Sequence, residues 1–310
     1  MKIVFFGTNQ FAVTSLEAIC NSGHEVTAVV TQSDKKKGRG LKLAFSAVKV
    51  FAEKRGLKIY QPSLLKEESF IKTISKINPE VLIVVSYGKI LPKEVLEIPK
   101  IYAINLHASL LPKYRGAAPV NWAIINGETE TGVTIIKMNE YMDRGDILTS
   151  RKVKIEPEDT AGSLSDRLAG IGADSLLKTI ELIEAGKVVK FPQDNKAASF
   201  APRIKKGDAR IDWSKTSTHV SNFIRGMNPH PGAFSYIGKK IIKIWKTKSL
   251  SLPESYNAGE IVELKKEQGI VISTGKGCLL ITELQLEDKK RMGASDFLRG
   301  HKIKIGQKLG

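Results

Sequence analysis

The sequence predicts an α/β protein with an open, mostly parallel, Rossmann-like sheet carrying helices on both faces, followed by a small OB-like β-barrel. Three observations lead there. Short apolar segments alternate with helical ones over the first two thirds of the chain. Val81–Val85 is an unbroken apolar run, as in a parallel strand buried on both sides. Beyond about residue 206 the pattern turns to short strands split by glycine and proline. A length of 310 residues favours two domains.

The elements follow in order. Lys2–Phe6 is a strand, and Asn9 or Gln10 to Asn21 a helix whose apolar face is Phe11, Leu16 and Ile19, with Gly23 just past its end. Glu25–Val30 is the second strand. Ser46–Arg55 and Lys66–Ile77 are helices flanking a stretch without clear periodicity. Ile101–Leu106 follows the Val81–Val85 strand, and Thr131–Met138 and Ile147–Ile155 are two more strands joined by a polar turn. Thr160–Glu184 carries Leu164, Leu168, Ile171, Leu176, Ile180 and Ile183 at helical spacing and stops before Gly186. From residue 190 to 206 the periodicity lapses around Pro192 and Pro202, as expected of a linker between domains 1–189 and 207–310. The second domain should hold strands at Arg210–Trp213, Ala233–Ile237, Lys240–Lys246, Gly259–Val262, Gly269–Ser273 and Cys278–Leu284, and a helix at Ser217–Arg225. Trp213 and Phe223 are expected in its core.

Charge narrows the function. Net charge is +17, and 21 Lys/Arg stand against 10 Asp/Glu from Arg203 onward, a surplus concentrated in the last third. Such asymmetry favours a polyanionic partner, nucleic acid before membrane. No apolar run approaches a membrane span or an export signal. The only cysteines, Cys20 and Cys278, lack metal-ligand spacing and read as reduced structural thiols, so a cytoplasmic protein without a metal is expected. The first βα turn, Phe6-Gly7-Thr8-Asn9-Gln10-Phe11, has one glycine where a pyrophosphate-binding turn needs three, and no P-loop follows. Dinucleotide and ATP chemistry are thereby disfavoured.

In open α/β sheets ligands bind beyond the carboxyl ends of the strands. Asn105 and His107 lie at such an end, and their spacing puts both on one face if the strand persists that far. Ser109-Leu110-Leu111-Pro112 follows, then Lys113-Tyr114-Arg115-Gly116. Further on comes Met142-Asp143-Arg144-Gly145-Asp146; upstream, the buried strand ends in Ser86-Tyr87-Gly88-Lys89-Ile90. Together these motifs, in this order across the whole N-terminal part, resemble the 10-formyltetrahydrofolate-dependent formyltransferase family. The resemblance implies that Asn105, His107 and Asp143 are the catalytic trio; Asp146 is the rival for the carboxylate role, against its reading as the turn residue of the Asp143-Arg144-Gly145-Asp146 corner. It implies a folate slot formed by Ser86, Tyr87, Gly88, Ile90, Ser109, Leu110, Leu111, Pro112, Glu140 and Asp143, with 10-formyltetrahydrofolate as formyl donor. The chemistry fits: an amide N–H can hold an oxyanion on the formyl oxygen, and a His–carboxylate pair can move the proton of an attacking amine.

The motif names the reaction but not the acceptor. The loop Ser33–Lys42, open between a strand and the next helix, carries five basic residues, Lys35, Lys36, Lys37, Arg39 and Lys42, against Asp34. It is similar to an insertion found in the tRNA-acting members of the family, with Gly38-Arg39-Gly40 aligned on that insertion's Gly-Arg-Gly. Lys206–Trp213 and Arg225–Pro231 resemble the C-terminal module of the same members. The resemblance therefore implies initiator Met-tRNA as partner, with Lys35, Lys36, Lys37, Arg39, Lys42, Lys206, Arg210, Lys239, Lys240 and Lys243 as candidate RNA contacts; a monomer is expected. The alternative acceptor is the amine of a sugar nucleotide.

Overall fold

The structure is a computed structural model that describes residues 1–37, 42–250 and 256–310. It contains two compact units, one of Met1–Pro119, Glu130–Lys154 and Ser165–Pro202, the other of Val120–Thr129, Ile155–Leu164 and Arg203–Gly310.

The chain runs β1 (Lys2–Gly7), α1 (Gln10–Cys20), β2 (Glu25–Val30), β3 (Lys35–Lys37), β4 (Lys42–Ala44), α2 (Ala47–Lys54), β5 (Ile59–Tyr60), α3 (Glu68–Ile77), β6 (Val81–Val85), α4 (Lys93–Leu96), β7 (Tyr102–His107) and β8 (Arg115–Gly116). Then come α5 (Pro119–Ile125), β9 (Glu130–Lys137), β10 (Ile147–Lys154), α6 (Ala161–Glu184) and β11 (Phe200–Ala201). Seven strands form one sheet in the order β10-β9-β7-β6-β1-β2-β5. The pairs from β5 to β7 are parallel; β9 runs antiparallel to β7 and to β10. The mostly parallel sheet read from the sequence is thus present, with an antiparallel excursion at one edge.

Both faces of that sheet are covered. Val4, Phe6, Leu82, Val84 and Ala103 pack with Phe70 and Ile74 of α3 and Val95 of α4. On the opposite face Leu106 meets Gly172 of α6, where a Cβ would lie 2.8 Å from its side chain. All five residues of β6 are buried, which is why no polar residue interrupts the run. Side-chain oxygens start the first two helices: Asn9 accepts from the Ala12 N–H and Ser46 from the Lys49 N–H.

The second unit holds α7 (Ser217–Gly226), β12 (Phe234–Ile237), β13 (Lys240–Leu250), β14 (Ile261–Lys265), β15 (Gly269–Ser273), β16 (Cys278–Leu286), β17 (Met292–Gly293) and α8 (Ala294–Gly300). The strands are antiparallel in the order β12-β13-β16-β15-β14, with β17 on β16. The last residues join the two edges: Leu309 bridges Ile237 beside β12, and Lys308 bridges Glu260 beside β14. That link rolls the sheet into the barrel-like form expected. Trp213, Ile224, Ile242, Ile244, Ile281 and Phe297 fill its core, and Phe223 packs against it. The Trp213 indole N–H donates to Ser235 Oγ at 3.0 Å.

Three local expectations need correction. Arg210–Trp213 is not a strand: Lys206–Ala209 forms a short 3-10 turn and only Arg210 bridges Phe234. The alternating pattern there reflects Ala209, Ile211 and Trp213 turning into the core from irregular backbone. The basic segment read as an open loop is in its described part a hairpin, with Lys35 opposite Ala44 and Lys37 opposite Lys42. The segment 190–206 does more than connect, since its residues through Pro202 belong to the first unit. Cys20 and Cys278 are free, and burial pushes both thiols above their ordinary pKa. Among the described residues no helix is long and apolar enough to cross a membrane, and no group of His, Cys, Asp and Glu could hold a metal ion.

Candidate active site at the carboxyl ends of the strands

β7 continues through His107, so Asn105 and His107 do share a face of the sheet. Asn105 sits in register with Val84 of β6 and Ile136 of β9, and His107 with Thr134. The half-buried Asn105 amide bonds to no protein group among the described residues, leaving its N–H groups for a ligand.

His107 is 6 % exposed, and its ring is held by a hydrogen bond on one side. Its Nε2 lies 2.9 Å from the Tyr114 carbonyl oxygen. A carbonyl only accepts, so Nε2 carries hydrogen and, in the neutral ring, the lone pair is on Nδ1. Nδ1 faces Asp143 Oδ1 at 3.7 Å, wider than a hydrogen bond. The other carboxylate oxygen, Oδ2, accepts from the Gly116 N–H at 2.8 Å. His107 and Asp143 are thus brought together at the end of the strand that carries Asn105, with a free Nδ1 lone pair beside a positioned carboxylate.

The loops that achieve this are tightly constrained. Asp143 has φ +55, in the left-handed region that Asp tolerates better than most residues. A Cβ on Gly145 would stand 1.7 Å from the Lys137 carbonyl, so only glycine lets that loop return against β9. Gly116 has φ +123, and a Cβ there would meet the Ala201 carbonyl at 2.6 Å, where β8 and β11 pair in parallel. Below His107, Thr134 Oγ1 donates to the Ser109 carbonyl at 2.6 Å and accepts from the Leu111 N–H at 3.1 Å. Ser109 Oγ closes the turn by donating to the Lys113 carbonyl at 2.6 Å.

The expected folate residues divide into two kinds. Ser86 (φ +46), Gly88 (φ +81), Ile90 and Glu140 are exposed, and Leu110 and Pro112 half-buried, so all can face a ligand. Ile90 leaves 63 % of its surface open, an apolar wall at the strand ends. The side chains of Tyr87, Ser109 and Leu111 are buried and offer a ligand only their backbone. Tyr87 packs edge-on against Phe6 with centroids 5.4 Å apart, and its carbonyl is taken by Thr8 Oγ1 and Gln32 Nε2. Its hydroxyl is buried without a partner, and burial raises its pKa to about 12.

Comparison with known proteins decides the family. The formyl transferase family model matches residues 1–180 and the formyl transferase C-terminal domain model matches 203–302. A methionyl-tRNA formyltransferase of Fusobacterium nucleatum subsp. nucleatum is 48% identical over 310 residues, covering 100% of both chains. One of Clostridioides difficile is 45% identical over 310 residues, again covering 100% of both. The chain belongs to the formyl transferase family. An N-formyltransferase from Helicobacter canadensis, solved with folinic acid and dTDP-3-aminofucose, shares the fold at TM-score 0.69 and 24% identity, over 94% of this chain and 100% of that one.

Within this formyl transferase the structure adds residues the motifs did not flag. Gln193 is the main one. Its Nε2 donates to the carbonyls of Asp143 at 2.9 Å and Gly145 at 2.7 Å, while Oε1 accepts from Arg115 Nε at 3.0 Å and Nη2 at 2.6 Å. Arg115 Nη1 donates to Asn195 Oδ1 at 3.0 Å, and Ser199 binds the Tyr114 N–H through Oγ at 2.9 Å. The supposed linker thus locks the His107 and Asp143 loops together. Thr134 escapes a sequence reading because it looks like any β-branched strand residue, and Gln193 because an isolated Gln in a non-periodic stretch carries no local signal.

The expected RNA contacts are mixed. Lys206, Arg210, Lys239 and Lys240 are exposed. Lys243 is half-buried, its Nζ donating to the Pro231 carbonyl at 2.8 Å. Lys35 Nζ donates to Gln32 Oε1 at 3.0 Å, Lys36, Lys37 and Lys42 lie on the paired strands β3 and β4, and Arg39 lies outside the described residues. Asp34, the lone acid of that segment, is structural: hydrogen bonds from Lys49 and Gln61 hold its carboxyl below the usual range and pin the hairpin base.

Proposed function

We propose that this formyl transferase moves the formyl group of 10-formyltetrahydrofolate to the α-amino group of methionine on initiator Met-tRNA, as a cytoplasmic monomer. The carrying observation is the assembled Asn105–His107–Asp143 geometry in a chain alignable end to end with methionyl-tRNA formyltransferases. The exposed Ile90 and the half-buried Leu110 and Pro112 support a slot for a flat ring.

The chemistry follows from the groups present. The methionine amine, with a free pKa of about 8, attacks the formyl carbon and the carbonyl electrons move to oxygen. An Asn105 N–H holds the developing oxyanion, a contribution of about 3 kcal/mol for a well-placed donor. Nδ1 of His107 takes the proton the amine loses, and Asp143 balances the imidazolium. Collapse of the adduct restores the formyl C=O and expels the folate nitrogen, which takes the proton back from Nδ1. Tyr114 keeps the ring in the tautomer that permits this.

The test is direct. The protein is incubated with 10-formyltetrahydrofolate and methionine-charged initiator tRNA, and formylmethionine is measured after ester hydrolysis. Formylation of a free sugar-nucleotide amine in place of Met-tRNA would replace this reading with the alternative acceptor.

A further inference from the structure

A cavity of about 360 Å³ opens beside the Asp143 loop, lined by Arg115, Tyr141, Met142, Arg144 and Phe200. None of these residues belongs to the set expected to hold the donor's ring. Three of them are large apolar side chains left in solvent: Tyr141 is 59 %, Met142 54 % and Phe200 66 % exposed. Single exposed apolar residues need no explanation, but three around one concavity mark a binding surface.

The charges point the same way. The Arg144 guanidinium lies 5.9 Å from the Tyr141 ring centroid and pairs with no carboxylate among the described residues. Burial, and then the charge of Arg144, lower the pKa of Arg115. Arg115 is spent on Gln193 and Asn195, so Arg144 is the cation left to a ligand, and beside exposed aromatic rings it suits one that is flat and anionic. A nucleotide has that chemistry, and so does the aryl-glutamate end of a folate.

Position favours the nucleotide. Met142 and Arg144 flank Asp143 in the chain, and Arg115 follows Tyr114, whose carbonyl holds His107. An aminoacyl ester joins its amine to the terminal ribose through two carbons and an oxygen, so an amine at Nδ1 brings its nucleotide close to these residues. The turn Ser86–Ile90 and residues Leu110 and Pro112, by contrast, are absent from the cleft wall.

We propose that this cleft takes the 3′-terminal nucleotide of the aminoacyl-tRNA, its base stacked on Tyr141 and Phe200 and its phosphate facing Arg144. The assignment rests on Met-tRNA being the acceptor and deepens that reading with a named subsite. Base–aromatic stacking corresponds to roughly a 5- to 150-fold change in affinity per ring removed.

Wild type, Tyr141→Ala, Phe200→Ala, Tyr141→Phe and Phe200→Tyr are compared in three measurements: the acceptor KM with Met-tRNA varied, the donor KM with formyl-folate varied, and binding of the trinucleotide CCA by calorimetry. The alanine variants should raise the acceptor KM and weaken CCA binding roughly 5- to 150-fold. The donor KM should stay within about twofold, and the two conservative variants should restore tight binding. Arg144→Gln should flatten the log–log salt dependence of CCA binding by about 0.7. A raised donor KM with unchanged acceptor KM overturns the proposal and gives the cleft to the folate tail. No change in either KM overturns it outright. Failure of wild type to formylate Met-tRNA at all would instead sink the acceptor reading, so the two failures are told apart.

Discussion

Replacing Gln193 by Leu removes four hydrogen bonds while keeping most of the side-chain volume. Two are amide donors to the Asp143 and Gly145 carbonyls, and two are the acceptor pair used by buried Arg115. Neutral bonds contribute about 1 kcal/mol each and bonds to a charged group roughly 1.5–3. Arg115 keeps Asn195 and water reaches part of the site, so a net loss of about 2–3 kcal/mol is expected, lowering Tm by roughly 5–10 °C. The effect on catalysis should be larger. Asp143 stands at φ +55 and is held there partly by Gln193, so its carboxylate will drift from Nδ1 of His107. Loss of a positioned proton-transfer pair lowers kcat by about 10²- to 10⁴-fold. Gln193→Glu separates the two roles, because it keeps an oxygen for Arg115 but has no N–H for the carbonyls. It should regain only the Arg115 part of the lost Tm, since its second oxygen faces two carbonyl oxygens, and keep the kcat defect. Steady-state formylation and thermal melts measure both quantities; wild-type kcat in either variant refutes the argument.

Asp143→Asn preserves an acceptor for the Gly116 N–H but removes the charge facing His107, so Tm should hold while kcat falls about 10²- to 10⁴-fold. Gly145→Ala puts a Cβ against the Lys137 carbonyl and should cost at least about 3 kcal/mol in denaturant unfolding, whereas exposed Gly170→Ala in α6, with nothing within 4 Å, should stabilise by about 0.5–1 kcal/mol. Tyr87 has a folded pKa raised to about 12 from an ordinary value of 10.0, so its neutral form is favoured by folding. That contribution is present below pH 10 and is lost as the unfolded chain ionises, by up to about 2.7 kcal/mol between roughly pH 10 and 12. Tyr87→Phe also removes a buried hydroxyl without a partner, so it should match or exceed wild-type stability at pH 8 and flatten the alkaline loss in pH-dependent melts.

What could be read before any coordinates follows from local physics and chain order. The buried run Val81–Val85 and the long amphipathic α6 announce themselves through their hydrophobic period. Asn105 and His107 were legible because a strand's two-residue period puts them on one face, and β7 extends far enough to keep them there. Asp143 came from motif order alone. Tertiary structure decided what depends on partners distant in the chain. Gln193 stands fifty positions from Asp143, and nothing in its neighbourhood reveals that its amide fixes that loop. Nothing in the run Lys113–Gly116 reveals that the Arg115 guanidinium is buried and committed to Gln193 and Asn195. Likewise the C-terminal strands showed their alternation, but the pairing of Lys308 and Leu309 with both sheet edges is a long-range closure that no local pattern encodes. Sequence determined the elements and the candidate reacting groups, because these rest on side-chain type and spacing. Only the fold determined which loops are rigid, which side chains are spent on holding them, and which surface beside the reacting atoms is left open.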